Sequence, residues 1–167
     1  NGMRAPYEYM MLVCVPILRL FAGAGQFRAF RANGEGNPEV IVDKLDAEDV
    51  WRLVGKHKIN MSGVTGDAMA RPLADALEKM KDEVDLSSLF SFSSTAAIFS
   101  QTVKEQLAEL LPDGIVLSDA IGSTESGMNG MRVGTKGDAP KEGITAVTAS
   151  ADTVVLGADL HPHEPGT

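Results

Sequence analysis

Gly114-Ile-Val-Leu-Ser118-Asp-Ala-Ile-Gly-Ser-Thr-Glu-Ser-Gly-Met-Asn129 joins a short apolar run to a stretch rich in Gly, Ser and Thr. Pro112-Asp-Gly114 stops the helical pattern before it, so the run 114–118 reads as a parallel strand. Open α/β sheets bind ligands beyond the carboxyl ends of such strands, where successive loops diverge and leave a crevice. Residues 118–129 fall at that place. Gly122 and Gly127 would let main chain approach a ligand, Ser123 and Thr124 carry hydroxyls suited to phosphate oxygens, and Glu125 can hold Mg²⁺. Chemistry alone leaves two readings open, a nucleotide-phosphate site and an ordinary polar loop. Asp119 is either a support for that loop or a turn former.

Outward from this stretch, strand-like and helical segments alternate. Residues 100–111 read as a helix whose buried stripe is Val103, Leu107, Leu110 and Leu111. Before it, residues 86–92 lead into a Ser/Thr/Ala turn. Asp67 is expected to cap a helix over 68–81, with Met69, Leu73, Leu77 and Met80 on one face and Pro72 near the first turn. Residues 59–64 form another apolar segment. Asp46 is an N-cap acceptor for a helix in which Val50, Leu53, Val54 and His57 share a face. Residues 40–42 and 9–15 read as strands, the latter ended by Pro16, and a glycine-bearing stretch at 22–25 precedes a helical pattern over 26–32. Beyond Gly130, residues 144–149 and 153–156 suggest short β elements. The order predicts an α/β fold: a layered, mostly parallel sheet with flanking helices and right-handed crossovers. Residues 1–130 form the expected α/β core, and 131–167 a β-rich continuation.

The 167 residues suit one domain or a piece of a larger one. Fifteen Lys and Arg against 23 Asp and Glu give a net charge of −8, which argues against a nucleic-acid or anionic-membrane surface. A single cysteine, Cys14, excludes an internal disulfide framework and a multi-cysteine zinc site, and fits a reducing, cytoplasmic setting. The longest apolar run, residues 10–18, falls short of the roughly 20 needed to span a bilayer.

Several familiar sites are excluded. Gly122 and Gly127 have Walker A separation, but Met128-Asn129 stands where Lys and Ser/Thr are required. Arg28 occupies the third glycine position of a dinucleotide fingerprint begun at Gly23. There is no Gly-x-Ser-x-Gly elbow. His161 and His163 flank a proline and read as turn residues rather than metal ligands. Cys14 and Trp51 read as packing residues.

Ile121-Gly-Ser-Thr-Glu-Ser-Gly127 resembles the aromatic-Gly-x-Thr-Glu motif of the adenylate-forming enzymes, the superfamily of acyl-CoA synthetases, luciferases and peptide-synthetase adenylation domains. Ser94-Thr-Ala-Ala-Ile-Phe-Ser100 with Val103-Lys104 is similar to that family's Ser-Gly-Gly-Ala segment and the helix after it. Gly66-Asp-Ala-Met-Ala-Arg-Pro-Leu73 and Leu20-Phe-Ala-Gly-Ala-Gly-Gln-Phe27 resemble stretches of the fatty-acyl-CoA synthetases. Asp152-Thr-Val-Val-Leu156 through Glu164-Pro-Gly166 is similar to the strand and turn that follow. The resemblance runs over nearly the whole chain in the family's order.

The resemblance implies a two-step ligase: ATP and a carboxylate, fatty or otherwise hydrophobic, give an acyl-adenylate and pyrophosphate, and CoA then takes the acyl group. By analogy Thr124 hydrogen-bonds the α-phosphate region and Glu125 binds Mg²⁺. Main chain at Thr95, Ala96 and Ala97 lines the adenine pocket, with Asp119, Ile121, Gly122 and Ser123 beside it. Residues 122–128 border the acyl site. Ile121 stands where many members have an aromatic ring, Ala22 where they have His, and Thr95 and Ala96 where they have two glycines. The family's Lys-bearing phosphate loop, ribose-binding Asp, hinge and C-terminal domain have no counterpart in the chain. The expectation is therefore an internal part of the large N-terminal domain, unable to adenylate alone and open to self-association through uncovered surfaces.

Overall fold

Amphipathic helices and short apolar strands sort into layers as the alternation requires. The structure is a computed structural model that describes residues 12–14, 25–26, 29–30, 33–34, 36–42, 44–136, 147–151, 153–154 and 156–162. Its strands are β1 (Leu12–Cys14), β2 (Glu39–Ile41), β3 (Met61–Val64), β4 (Ser91–Thr95), β5 (Val116–Ser123), β6 (Gly127–Thr135) and β7 (Thr148–Ala149). They lie in the order β2-β1-β3-β4-β5-β6-β7. Neighbours from β2 to β5 pair in parallel, and β6 and β7 add antiparallel strands at one edge. Each parallel step from β2 onward crosses over through a helix: α1 (Ala47–His57), α2 (Gly66–Met80) and α3 (Gln101–Leu110). The mostly parallel α/β layering is thus as the sequence predicts. Residues 9–11, 15–16, 20–24, 27–28, 31–32, 144–146, 152, 155 and 163–166 of the expected elements and motifs lie outside the described residues.

The helices pack side by side, α1 on α2 and α2 on α3, and close the core against one face of the sheet. Trp51, Val54, Leu73, Leu77, Phe92, Leu107 and Ile115 are fully buried there. Asp46 caps α1 as expected, its carboxylate accepting the Asp49 N–H at 3.1 Å. Trp51 is a packing residue: its ring stacks at 6.4 Å from Phe92, and its Nε1 donates to the Leu73 carbonyl at 2.8 Å.

Three expectations change. α2 begins at Gly66, with Thr65 in the N-cap position and no side-chain cap bond, so Asp67 lies inside the first turn and Pro72 a full turn deeper. The start of α2 is satisfied instead by the neighbouring loop, through Asp67 N–H to the Ile98 carbonyl at 2.9 Å. The expected Ser/Thr/Ala turn starts only after Thr95, because Ser93, Ser94 and Thr95 belong to the strand β4. Its hydroxyl residues remain extended because main chain pairs on both sides, with Thr95 Oγ1 donating to the Ala120 carbonyl at 3.1 Å and Ser94 Oγ accepting the Gly66 N–H at 3.0 Å. The third change concerns residues 118–129, which form a β-hairpin with only residues 124–126 as its turn.

Helix α1 ends on Lys58, a residue in the left-handed region with φ +51°, whose ammonium binds the Asp85 carboxylate. That contact, with the Ser87 N–H donating at 2.9 Å, holds the Asp85 carboxyl well below the usual carboxylate range. A depressed carboxyl favours the fold above its unfolded pKa, near about 4, and that contribution is lost as pH falls toward the folded value. Asp85→Asn should therefore flatten the acid limb of stability below about pH 4 and leave the alkaline limb unchanged, as read by urea melts across pH. The pair is exposed, so the change will be small.

Candidate functional site

The parallel register fixes where the suspected site residues meet. Thr95, the last residue of β4, pairs with Ala120 of β5, so Thr95, Ala96 and Ala97 leave the sheet beside Ile121 and Gly122. β5 then runs three residues beyond the end of β4, which lifts the hairpin tip about 10 Å above that rim. Thr124, Glu125 and Ser126 form the turn at the tip, and all three are exposed. The hydroxyl and the acid therefore stand at the carboxyl-end side of the parallel strands, with the segment after β4 directly below.

The turn is internally braced. Ser126 N–H donates to Ser123 Oγ at 3.1 Å, the two hydroxyls lie 2.9 Å apart, and Ser126 Oγ donates to Asn129 Oδ1 at 2.6 Å. Gly122 sits at a bulge in the β5–β6 pairing, and a Cβ there would fall 2.1 Å from the Gly127 carbonyl oxygen. Its missing side chain serves the close approach of the hairpin's own strands, not an approach to a ligand. Ile121, 49% exposed, and Ile98, 81% exposed, add apolar surface at the same rim. Polar donors and one carboxylate beside apolar ground suit a charged ligand with a flat apolar part.

Asp119 does not join this group. It lies in the middle of β5, 8% exposed, and its carboxylate binds the Lys104 ammonium of α3, which also stands 5.2 Å from the centre of the Phe99 ring. The turn-forming alternative fails because the residue is extended and paired with Arg132 of β6. Lys104 belongs to the arrangement through this contact, which its place in the sequence does not announce. A lysine adjoining the apolar stripe of Val103 and Leu107 is its one sequence signal, and its acidic partner comes from another element. Among the described residues no group of three or more His, Cys, Asp or Glu side chains could hold a metal ion, so Glu125 offers one ligand and not a preformed cage.

Ala96 has φ +65°, the left-handed region that glycine occupies without steric penalty. The chain keeps the backbone shape although it carries alanine. Left-handed alanine costs about 1–2 kcal/mol, and glycine returns about 0.4–1 kcal/mol of that through the unfolded state. Ala96→Gly is expected to raise stability by about 0.5–1 kcal/mol, measured as a higher midpoint of urea unfolding.

No family model matches the chain. In sequence it is 44% identical over 156 residues to a medium/long-chain-fatty-acid–CoA/3-oxocholest-4-en-26-oate–CoA ligase of Mycobacterium tuberculosis, a match that takes in 93% of this chain and 28% of that protein. A 3-oxocholest-4-en-26-oate–CoA ligase of Rhodococcus rhodochrous is 39% identical over 160 residues, with the same coverages. The chain thus spans little more than a quarter of the length of these relatives. In structure, the N-terminal domain of FACL13 from Mycobacterium tuberculosis superimposes with a TM-score of 0.76 at 20% identity, covering 96% of this chain and 39% of that one. A long-chain-fatty-acid-CoA ligase (FadD1) from Archaeoglobus fulgidus gives 0.61 at 21% identity, covering 71% and 24%. These two likenesses concern the fold.

Proposed function

We propose that this chain, whose relatives at 39–44% identity are fatty-acid–CoA ligases, supplies the nucleotide rim of an ATP-dependent acyl-CoA synthetase of the same family and works as part of a longer polypeptide. The reaction is carboxylate adenylation followed by thioester formation with CoA. The observation that carries this reading is the pairing of a hydroxyl and an acid, Thr124 and Glu125, on a braced turn at the carboxyl-end side of β4 and β5.

A carboxylate becomes a good acyl donor once its oxygen is joined to AMP, and the barrier falls when charge on the phosphates is neutralised. ATP would lie with its base over Thr95, Ala96, Ala97 and Ile121 and its phosphates toward the tip. Thr124 would donate its hydroxyl proton to a phosphate oxygen, and Glu125 would hold Mg²⁺, which supplies charge neutralisation when bound. The residues fit the ion in part: Glu125 provides a hard oxygen ligand, and phosphate oxygens and water would complete the set, as is usual for Mg²⁺ on nucleotides. The carboxylic acid substrate would be hydrophobic, in keeping with Ile98 and Ile121 at the rim and with the fatty and steroid acids in the relatives' names.

Because Thr124 and Glu125 are exposed, the phosphates would meet protein on one side only, and positioning for in-line attack needs groups on the other. The 167-residue chain should therefore bind Mg·ATP weakly and release no pyrophosphate. Glu125→Ala is expected to weaken Mg·ATP binding about tenfold while leaving Mg-free ATP binding within twofold, by isothermal titration calorimetry. Equal losses with and without Mg²⁺ would remove the metal role from Glu125.

A further inference from the structure

The segment Gly66-Asp-Ala-Met-Ala-Arg-Pro-Leu73 is left without a task by the nucleotide reading, yet its first two residues grip the loop after β4 from both ends. Gly66 N–H donates to Ser94 Oγ at 3.0 Å, before the loop. Asp67 N–H donates to the Ile98 carbonyl at 2.9 Å, and the Asp67 carboxylate accepts the Ser100 N–H at 2.8 Å, after it. Arg71, one turn along α2, sets Nη2 3.6 Å from Asp67 Oδ2 and steadies the carboxylate. Ser100 is the N-cap of α3, and its own hydroxyl makes no cap bond. One carboxylate at the start of α2 thus joins the starts of two helices, with Thr95, Ala96 and Ala97 lying in the span between the tie points.

The tie has a strained conformation to hold. Ala96 at φ +65° costs free energy that the segment would recover by relaxing, and such conformations persist only where the surroundings over-determine them. A hydrogen bond to an ionised acceptor is among the stronger single restraints available for this. We propose that Asp67 is a positioning residue that locks residues 95–99 in the shape which offers main chain to the nucleotide base. The proposal rests on the nucleotide reading for what the shape is for, though not for the tie itself.

Asp67→Ala and Asp67→Asn in the 167-residue chain separate the two. The readouts are amide hydrogen exchange resolved by residue and Mg·ATP affinity by calorimetry. Asp67→Ala should speed exchange at Ser100 and its loop neighbours about tenfold and weaken Mg·ATP about fivefold. Asp67→Asn, which keeps an acceptor oxygen but not its charge, should fall between the parent and Asp67→Ala in both. Should Asp67→Ala not fold, Asp67→Ser, which keeps a good helix-start residue but shortens the reach to Ser100, takes its place with the same expectation. Unchanged exchange at 96–100 and unchanged affinity would overturn the proposal, as would faster exchange spread evenly over β3, α2 and α3. If the parent chain binds no Mg·ATP, the nucleotide reading fails, and exchange alone decides the tie: acceleration confined to 96–100 upholds it, and its absence overturns it.

Discussion

Gly66→Ala is expected to lower stability by about 2–5 kcal/mol. A Cβ at this position would lie 2.6 Å from the Ile98 carbonyl oxygen and 2.7 Å from the Ala97 Cβ, distances that real side chains do not reach. The residue also has φ +57°, where any side chain adds about 1–2 kcal/mol of steric cost. Relief would require moving main chain of the loop after β4, and forcing extra volume into packed ground costs about 1–3 kcal/mol more. The same displacement would loosen the bond from Gly66 N–H to Ser94 and that from Asp67 N–H to Ile98. Stability is read from urea unfolding, and a loss under about 1 kcal/mol would mean that the two loops do not touch as described.

The second large effect falls in the core. Trp51→Ala should cost about 3–5 kcal/mol, the range for deleting a buried tryptophan whose cavity cannot collapse. The ring is 0% exposed, lies against Phe92, and reaches α2 through the Leu73 carbonyl. Helix α1 and strand β4 would lose their common anchor, and β4 is the strand that delivers Thr95 to the rim. Trp51→Phe keeps most of the apolar contact and gives up the hydrogen bond, so it should cost about 1–2 kcal/mol. Equal losses for the two variants would place the energy in the hydrogen bond and contradict the packing account.

Helices were the most legible part of the sequence, since spacing alone identified their buried faces. Val50 and Val54 on α1, Met69, Leu73, Leu77 and Met80 on α2, and Val103 and Leu107 on α3 are buried as the pattern requires. The strands were harder where polarity runs against propensity. Ser93 to Thr95 look like the start of a turn, and only pairing with β3 and β5 together makes them a strand. The hairpin is hidden in the sequence for a related reason. Gly, Ser and Thr signal a loop, whereas the Gly122 bulge and the cross-strand pairing that extends β5 to Ser123 depend on the strand that returns.

The rim was legible in kind and not in detail. Thr124 and Glu125 stand on the expected side of the sheet, beside the segment of Thr95, Ala96 and Ala97, because parallel strands bring their ends to one edge whatever the loops contain. Asp119 shows the limit of that reasoning. Its position near the motif suggested a site residue, but alternation along β5 turns its carboxylate toward α3, where Lys104 meets it. Asp67 shows the converse: an expected helix cap whose carboxylate instead reaches across to Ser100, a partner 33 residues away that local sequence gives no means of naming.

The account stands on the nucleotide lying across the end of β4 and the tip of the β5–β6 hairpin. Titration of Mg·ATP into the isotope-labelled chain, followed by amide chemical shifts, tests it most directly. The largest shifts are expected at Ala96, Ala97, Ile121, Gly122, Thr124 and Glu125, with Asp119 and the amides of α1 little changed. Shifts concentrated at the opposite, amino-terminal ends of β3, β4 and β5, or around α1, would contradict it.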